Sequence, residues 1–371
     1  MDFPVHHSTE ATPRDRGHGL GAAQSERIAA VVEIYERLFQ HTAQIGPDEM
    51  RRLGGLAMEV IQGWAPDLGE EIEGIAAGSG HDVAVIAAMN ARTEILAAGR
   101  GECSTIACLG NATADGEPIG IQTWDWHNDL AGSWMVWRID HADGRRVETM
   151  TEAGIVGKVG MSSQGVGVLL NILGHGKDGP PIGVPVHVMC RRVLDEANGA
   201  VKALELLAGA EVSASSAVTI VADDFDGGAC CTVELSPAGP GFVTPDDRGV
   251  LTHTNHFVAE PGRLDDTMVR LGPDSVLRLD HARRGMARLT EGTIDEDSIL
   301  GVMHSHRGGS GAICCHPAPD APFGERWQTL ATVTVRPSRR EMTVRRGGPC
   351  QWWSTDAAAS TSLSRQGSAA S

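Results

Sequence analysis

The stretch GRGECSTIACLGNATADGEPIGIQTWDW, Gly99 to Trp126, decides the fold. It sets a cysteine, two small hydroxyl residues and an apolar run ahead of Asp115-Gly116, then a β-rich run that closes on Trp124-Asp125-Trp126. An Asp-Gly pair between two such runs is a hairpin signal. The pattern reads as the opening of a domain, yet 102 residues precede Cys103.

The chain changes character at this point. Upstream the apolar spacing is helical: Ile28, Val31, Val32, Ile34, Tyr35, Leu38 and Phe39 recur at three and four within ERIAAVVEIYERLFQ, as on one face of a helix. DEMRRLGGLAMEVIQGW from Asp48 and DVAVIAAMNARTEILAAG from Asp82 continue in the same way. Downstream come short β-rich runs: STIACLG, PIGIQTWDW, WMVWRID, RRVETMT, and two more within IVGKVGMSSQGVGVLLNILG. VPVHVMCRRVLDEANGAVKALELLAG from Val184 reads as helix, and SAVTIVAD, CCTVELS and GVLTHTNHF as strands. DSVLRLDHARRGMARLT from Asp274 is an amphipathic helix with Asp274 as its candidate cap. QTLATVTVRP and REMTVRRGG close the ordered part as strands. The tail 354–371, STDAAASTSLSRQGSAAS, has the composition of a disordered segment. Strand groups separated by helix groups predict an α+β layered fold rather than alternating βαβ units.

Composition narrows the function. Hydrophobic residues make up 41% and charged residues 21% of 371, so the chain can build an ordinary core. A formal charge of −17 with no long basic block argues against a nucleic-acid partner. No apolar run approaches the roughly 20 residues that span a bilayer. The first residues lack the basic and apolar regions of a secretory signal, so the expectation is a cytoplasmic protein that meets no membrane. The eight cysteines include two adjacent pairs and no C-x-x-C, which fits buried thiols better than a disulfide framework.

The quoted stretch resembles the start of the mature domain in the acyl-coenzyme A:6-aminopenicillanic acid acyltransferase (isopenicillin N acyltransferase) family, cysteine enzymes of the N-terminal-nucleophile hydrolase class. RGHG (Arg16 to Gly19) and NARTEI (Asn90 to Ile95) are similar to pieces of the family's pro-segment. HTNHF (His253 to Phe257) and SVLR (Ser275 to Arg278) are similar to its later motifs. The resemblance spans nearly the whole chain except the tail. It implies a four-layer αββα sandwich at 103–353 behind a helical N-terminal pro-segment, 1–102.

The resemblance also implies a chemistry. The precursor cuts itself at Glu102–Cys103, and the two pieces stay associated. The freed α-amine of Cys103 has a reference pKa near 7.7–8.0 and serves as base to its own thiol. Asp125 holds that amine, Asn255 lines the oxyanion hole, and Arg278 steadies the thiolate. Asn171 and Trp126 are candidate substrate or oxyanion-site residues. The implied activity is amidohydrolase or acyltransferase, on an amide or thioester of a small acylated substrate, through a covalent acyl-enzyme. No cofactor and no metal are implied; acyl-coenzyme A is a possible donor. Two departures from the family pattern stand out: Glu102 replaces a frequent glycine before the nucleophile, and Thr123 replaces a frequent asparagine two residues before the aspartate.

Read without the resemblance, each residue has a plainer role. Cys103 fits a core thiol, Asp125 a strand-end turn, Asn255 a loop cap and Arg278 a solvated helix face. Two other functions remain open. One is a metal-dependent hydrolase built on His253 and His256 with His304, His306 and His316. The other is an uncleaved binding protein that keeps the fold.

Overall fold

Thr12 accepts a hydrogen bond from the Asp15 amide, and Pro13 fills the first helical position where no amide partner is needed. That start opens a series of helices: α1 (Pro13–Ala23), α2 (Ser25–Ala43), α3 (Pro47–Trp64), α4 (Pro66–Ser79), α5 (Val83–Asn90) and α6 (Arg92–Leu96). The computed structural model describes residues 3–96, 103–318 and 320–353. Glu102 and the tail 354–371 therefore lie outside the described residues.

Helices α1 and α4 pack almost backbone to backbone. A Cβ on Gly17 would lie 2.0 Å from the Glu71 carbonyl oxygen, and one on Gly74 2.1 Å from that of Arg14. The RGHG stretch is thus a close helix contact that only glycine permits. The single helix predicted from Asp82 is in fact two. Asp82 caps its start, accepting from Ala84 N at 2.9 Å. The break comes after Asn90, whose amide reaches the Gly154 carbonyl and accepts the Val156 N–H, both at 2.9 Å.

The N-terminal segment is not helical throughout. A strand that the sequence did not signal, β1 (Val5–Ser8), precedes α1 and pairs with a later one. The remaining elements are β2 (Ser104–Cys108), β3 (Ile119–His127), β4 (Trp134–Asp140), β5 (Arg146–Glu152), β6 (Val159–Ser162), β7 (Val166–Ile172), α7 (Val186–Glu196), α8 (Ala200–Ala208), β8 (Ser216–Ala222), β9 (Ala229–Leu235), β10 (Gly241–Val243), β11 (Val250–His253), α9 (Met268–Leu271), α10 (Asp274–Met286), α11 (Glu296–Met303), β12 (Trp327–Arg336) and β13 (Glu341–Arg346).

Two sheets result, ordered β1-β4-β5-β6-β7-β8-β9-β10 and β11-β2-β3-β12-β13. Every pair is antiparallel except β1 with β4. Helices α7 and α8 cover the larger sheet, the sheets stack through β2, β3 and β12 on β7, and α10 and α11 cover the smaller sheet. This is the four-layer αββα sandwich. Strands β2 and β3 are buried along their whole length because both faces are covered, so the polar residues Gln122, Thr123, Asp125 and His127 of β3 are buried as well.

Register brings three strand ends together. Ser104 pairs with Thr123 and Thr105 with His253. The start of β2, the end of β3 and the end of β11 therefore meet at one end of the smaller sheet. Cys103, Asp125 and Asn255 each lie within two residues of those pairs. A bulge in β12 between Thr329 and Ala331 falls opposite Asp125 and Trp124, where an extra residue bends the ladder.

Candidate active site

Side chains alternate along β2, and the alternation sorts its partners. Ser104 accepts from Arg278 Nη1 at 3.1 Å, on the α10 side. Thr105 donates to Asn171 Oδ1 at 2.8 Å, on the side of the larger sheet. Asn171 then donates from Nδ2 to the Cys103 carbonyl oxygen at 2.9 Å. Arg278 Nη1 donates to the same oxygen at 3.1 Å. The backbone of Cys103 is gripped from both sheet faces by two residues distant in sequence.

Arg278 is buried, not on a solvated helix face. Asp274, one helical turn earlier, accepts from its Nε and Nη2 at 3.2 Å. Asp274 thus spends its carboxylate on Arg278 and does not cap α10, whose cap position is Pro273. Arg278 Nη2 donates to Asn255 Oδ1 at 3.0 Å. Because guanidinium only donates, this bond fixes the orientation of the Asn255 amide. One of its N–H groups goes to the Ile172 carbonyl at 2.9 Å; the amide carries a second.

The HTNH and SVLR motifs prove to be each other's partners. Ser275 Oγ accepts the Asn255 backbone N–H at 2.7 Å and meets His256 Nδ1 at 2.8 Å. Thr254 donates to the Ser275 carbonyl at 3.0 Å. His253 Nε2 meets Glu234 Oε1 at 2.7 Å, and Glu234 also accepts from Val258 N and Ala259 N. The first two histidines of the rival metal set therefore serve to hold the loop that carries Asn255.

The thiol of Cys103 is buried, and Sγ lies 3.7 Å from the Asp125 carbonyl oxygen. Burial, and then the Asp125 carboxylate, push its pKa up to about 12. The bond to the Asp125 carbonyl, Lys158 and Arg278 pull the other way and lose. The buried thiol is neutral, and a base is needed to make the nucleophilic thiolate. Arg278 touches the carbonyl of Cys103, and its charge favours the thiolate.

Trp126 makes its contacts with the N-terminal helices. Its indole N–H donates to Tyr35 Oη at 3.1 Å, and the Arg92 guanidinium sits 4.3 Å over its ring. It faces the N-terminal helices, so its contacts join the two halves of the chain.

The sequence reading missed a buried charge cluster behind the thiol. Lys158 and Tyr35 both bond Glu152, and Arg92 donates to it at 3.2 Å. Lys158 Nζ also lies 3.9 Å from the Trp124 ring centroid. Despite burial, the two cations hold Glu152 down at about 2. Burial lowers Lys158 to about 7, and Arg92 adds to the shift against the pull of Glu152. One signal was available: Lys158 is one of three lysines in the chain, and it stands alone in the apolar, glycine-rich run IVGKVG.

Cys103 thus stands at the head of β2, an interior strand of the smaller sheet in this sandwich. The chain belongs to the acyl-coenzyme A:6-aminopenicillanic acid acyl-transferase family, whose model matches residues 112–351. The match contains Asp125, Asn171, Asn255 and Arg278 and begins after Cys103. The chain is also similar to the acyl-coenzyme A:6-aminopenicillanic-acid-acyltransferase 40 kDa form of Emericella nidulans, 28% identical over 359 residues and 93% of each chain. Among solved structures it is similar to an N-acylethanolamine-hydrolyzing acid amidase ortholog from Caenorhabditis elegans, at TM-score 0.43 and 15% identity, covering 63% of this chain and 93% of that one. Penicillin V acylase from Agrobacterium tumefaciens matches at TM-score 0.43 and 10% identity, covering 66% and 83%.

Proposed function

We propose that the chain is an enzyme that processes itself at Glu102–Cys103 and then moves acyl groups through a thioester on Cys103. The observation that carries this reading is the double grip of Asn171 and Arg278 on the Cys103 carbonyl. Any buried carbonyl needs donors, but here two side chains from elements far apart in the chain supply them, which fixes the backbone of the residue that must hold thiol and amine in fixed relation.

In processing, the thiol attacks the Glu102 carbonyl carbon. The C–N bond to Cys103 breaks, a thioester forms, and the nitrogen takes up a proton. Water then hydrolyses the thioester, leaving a carboxylate on Glu102 and a free amine on Cys103. In turnover, that amine takes the thiol proton as sulfur attacks the acyl carbon of an amide or thioester. It returns the proton to the leaving group. The acyl group passes to water, giving hydrolysis, or to an amine, giving transfer. The second N–H of Asn255 serves the oxyanion, and Asp125 holds the α-ammonium. Nucleophile and base reside in one residue, so the scheme needs no cofactor. The printed name of the Emericella relative makes an acyl-coenzyme A thioester a fitting donor to try first.

The test is intact-mass analysis of purified protein. We expect pieces 1–102 and 103–371 that elute together, and a full-length chain from Cys103→Ala. A wild-type chain that stays uncut after long incubation overturns self-processing. Selective blocking of the α-amine should abolish turnover, and activity that survives it overturns the base assignment. If the amine is the base, kcat/KM rises through an apparent pKa near neutrality.

A further inference from the structure

Four side chains beside β12 converge without a part in the chemistry above. They are His306 on the loop after α11, Cys314 and His316 further along that loop, and Cys350 in the turn Pro349–Gln351 after β13. One ligand atom from each lies within 4.8 Å of all the others. His316 Nε2 is 3.3 Å from His306 Nε2, 3.3 Å from Cys350 Sγ and 3.8 Å from Cys314 Sγ. The three spacings from His316 Nε2 are close to the edges of a tetrahedron about one cation. Zn–N near 2.0–2.1 Å and Zn–S near 2.3 Å give edges of about 3.3 Å between nitrogens and about 3.6 Å between nitrogen and sulfur.

Hydrogen bonding does not account for the convergence. Nε2 of a neutral imidazole offers either one N–H or one lone pair, along a single direction. Three neighbours crowd the Nε2 of His316, and one such group serves one of them well. A cation at the centre serves all four atoms at once. The surroundings also make room for it. Cys314 is buried, and its backbone N–H donates to the Ser305 carbonyl at 3.1 Å. A Cβ on Gly348 would lie 2.4 Å from Cys314 Sγ, so glycine there leaves the sulfur its place. Gly347, at φ +75°, makes the turn that brings Cys350 back to the loop.

We propose that His306, Cys314, His316 and Cys350 bind one structural zinc ion or a similar thiophilic divalent cation. The donor set selects the metal: two thiolates and two imidazoles suit Zn²⁺ or Co²⁺ and not the oxygen-seeking Mg²⁺ or Ca²⁺. Binding releases the two thiol protons to solvent, and two thiolates balance the charge of the ion. All four positions are filled by protein, so none is left for water or substrate. The site is a staple, tying the loop 304–316 to the end of the chain. That loop touches the catalytic sheet, since Cys315 N donates to Thr329 Oγ1 at 2.9 Å and Thr329 pairs with Asp125. Of the histidines weighed for a metal, only His306 and His316 take part. Two cysteines complete the set.

The test uses the untagged full chain, exposed to Zn²⁺ and dialysed, with metal measured by mass spectrometry. We expect about one zinc per chain, and less than about 0.1 in Cys314→Ser/Cys350→Ser. A strong chelator should lower the melting temperature of the wild type and leave that of the double variant unchanged. Because the double variant risks misfolding, Co²⁺ loaded into the wild type gives a second reading. Thiolate-to-cobalt charge-transfer absorption and intense visible bands mark tetrahedral sulfur coordination. Their absence, a chain that retains no metal, metal retained in the double variant, or a Cys314–Cys350 disulfide in non-reducing peptide maps each overturns the proposal.

Discussion

Asn255 holds two commitments at once: its oxygen accepts from Arg278, and one N–H is given to Ile172. Its second N–H decides between an oxyanion donor and a loop residue. Asn255→Ala removes a donor but little volume. If the donor faces the tetrahedral intermediate, kcat falls by roughly 10²–10³ with little change in substrate binding. If it only braces the loop, stability drops by about 1 kcal/mol and kcat is kept. Measuring kcat and melting temperature on one preparation separates the two. At this scale the sequence was readable where a motif carries its own partner, as HTNH and SVLR do. For Lys158 it showed only an isolated charge in an apolar run, since a lysine is made safe in a core by Glu152 and an aromatic face that only folding supplies.

Elements show where local pattern yields to tertiary contact. The run from Asp82 has helical spacing throughout, yet Asn90 breaks it to satisfy the backbone at 154–156. Glu94, on the short helix that follows, accepts the Val186 N–H at 2.9 Å at the start of α7. Burial raises its carboxyl to about 7. A carboxyl raised on folding contributes stability that is fully present below its ordinary range and is lost as pH rises through about 7. Glu94→Gln keeps the acceptor and discards the charge. It should melt several degrees above wild type at pH 8 and level with it at pH 4.5, read by thermal melts at both. A variant that melts lower at pH 8 would show the ionised carboxylate to be needed there.

Across the whole molecule, buried charge joins the N-terminal segment to the sandwich. Glu71 on α4 accepts from Arg16 Nε at 2.5 Å and from Arg191 Nη1 on α7 at 2.6 Å, all three buried. Arg92 and Tyr35 meet Glu152 in the same way, and β1 adds an edge to the larger sheet. If the chain is cut at Glu102, these contacts should keep the pieces together in size exclusion under native conditions. Glu71→Ala leaves two guanidinium groups buried against each other. It should cost about 3–5 kcal/mol, or a melting temperature lower by about 6–20 °C. A change of under 2 °C, on the order of 1 kcal/mol or less, would mean that water reaches the arginines.

The sequence by itself determined the helical character ahead of Cys103, the strand-rich character after it and the layered class. These follow from period, turn chemistry and motif, which are local properties of the chain. Only the tertiary structure decided that Asn171 and Arg278 share one carbonyl oxygen, that Trp126 faces Tyr35, that Asp274 serves Arg278, and that two histidines and two cysteines converge beside β12. All but the Asp274–Arg278 pair, which is one helical turn apart, join residues far apart in the chain. Which buried polar group finds which partner is settled by sheet register and helix packing, and neither is written in any single stretch.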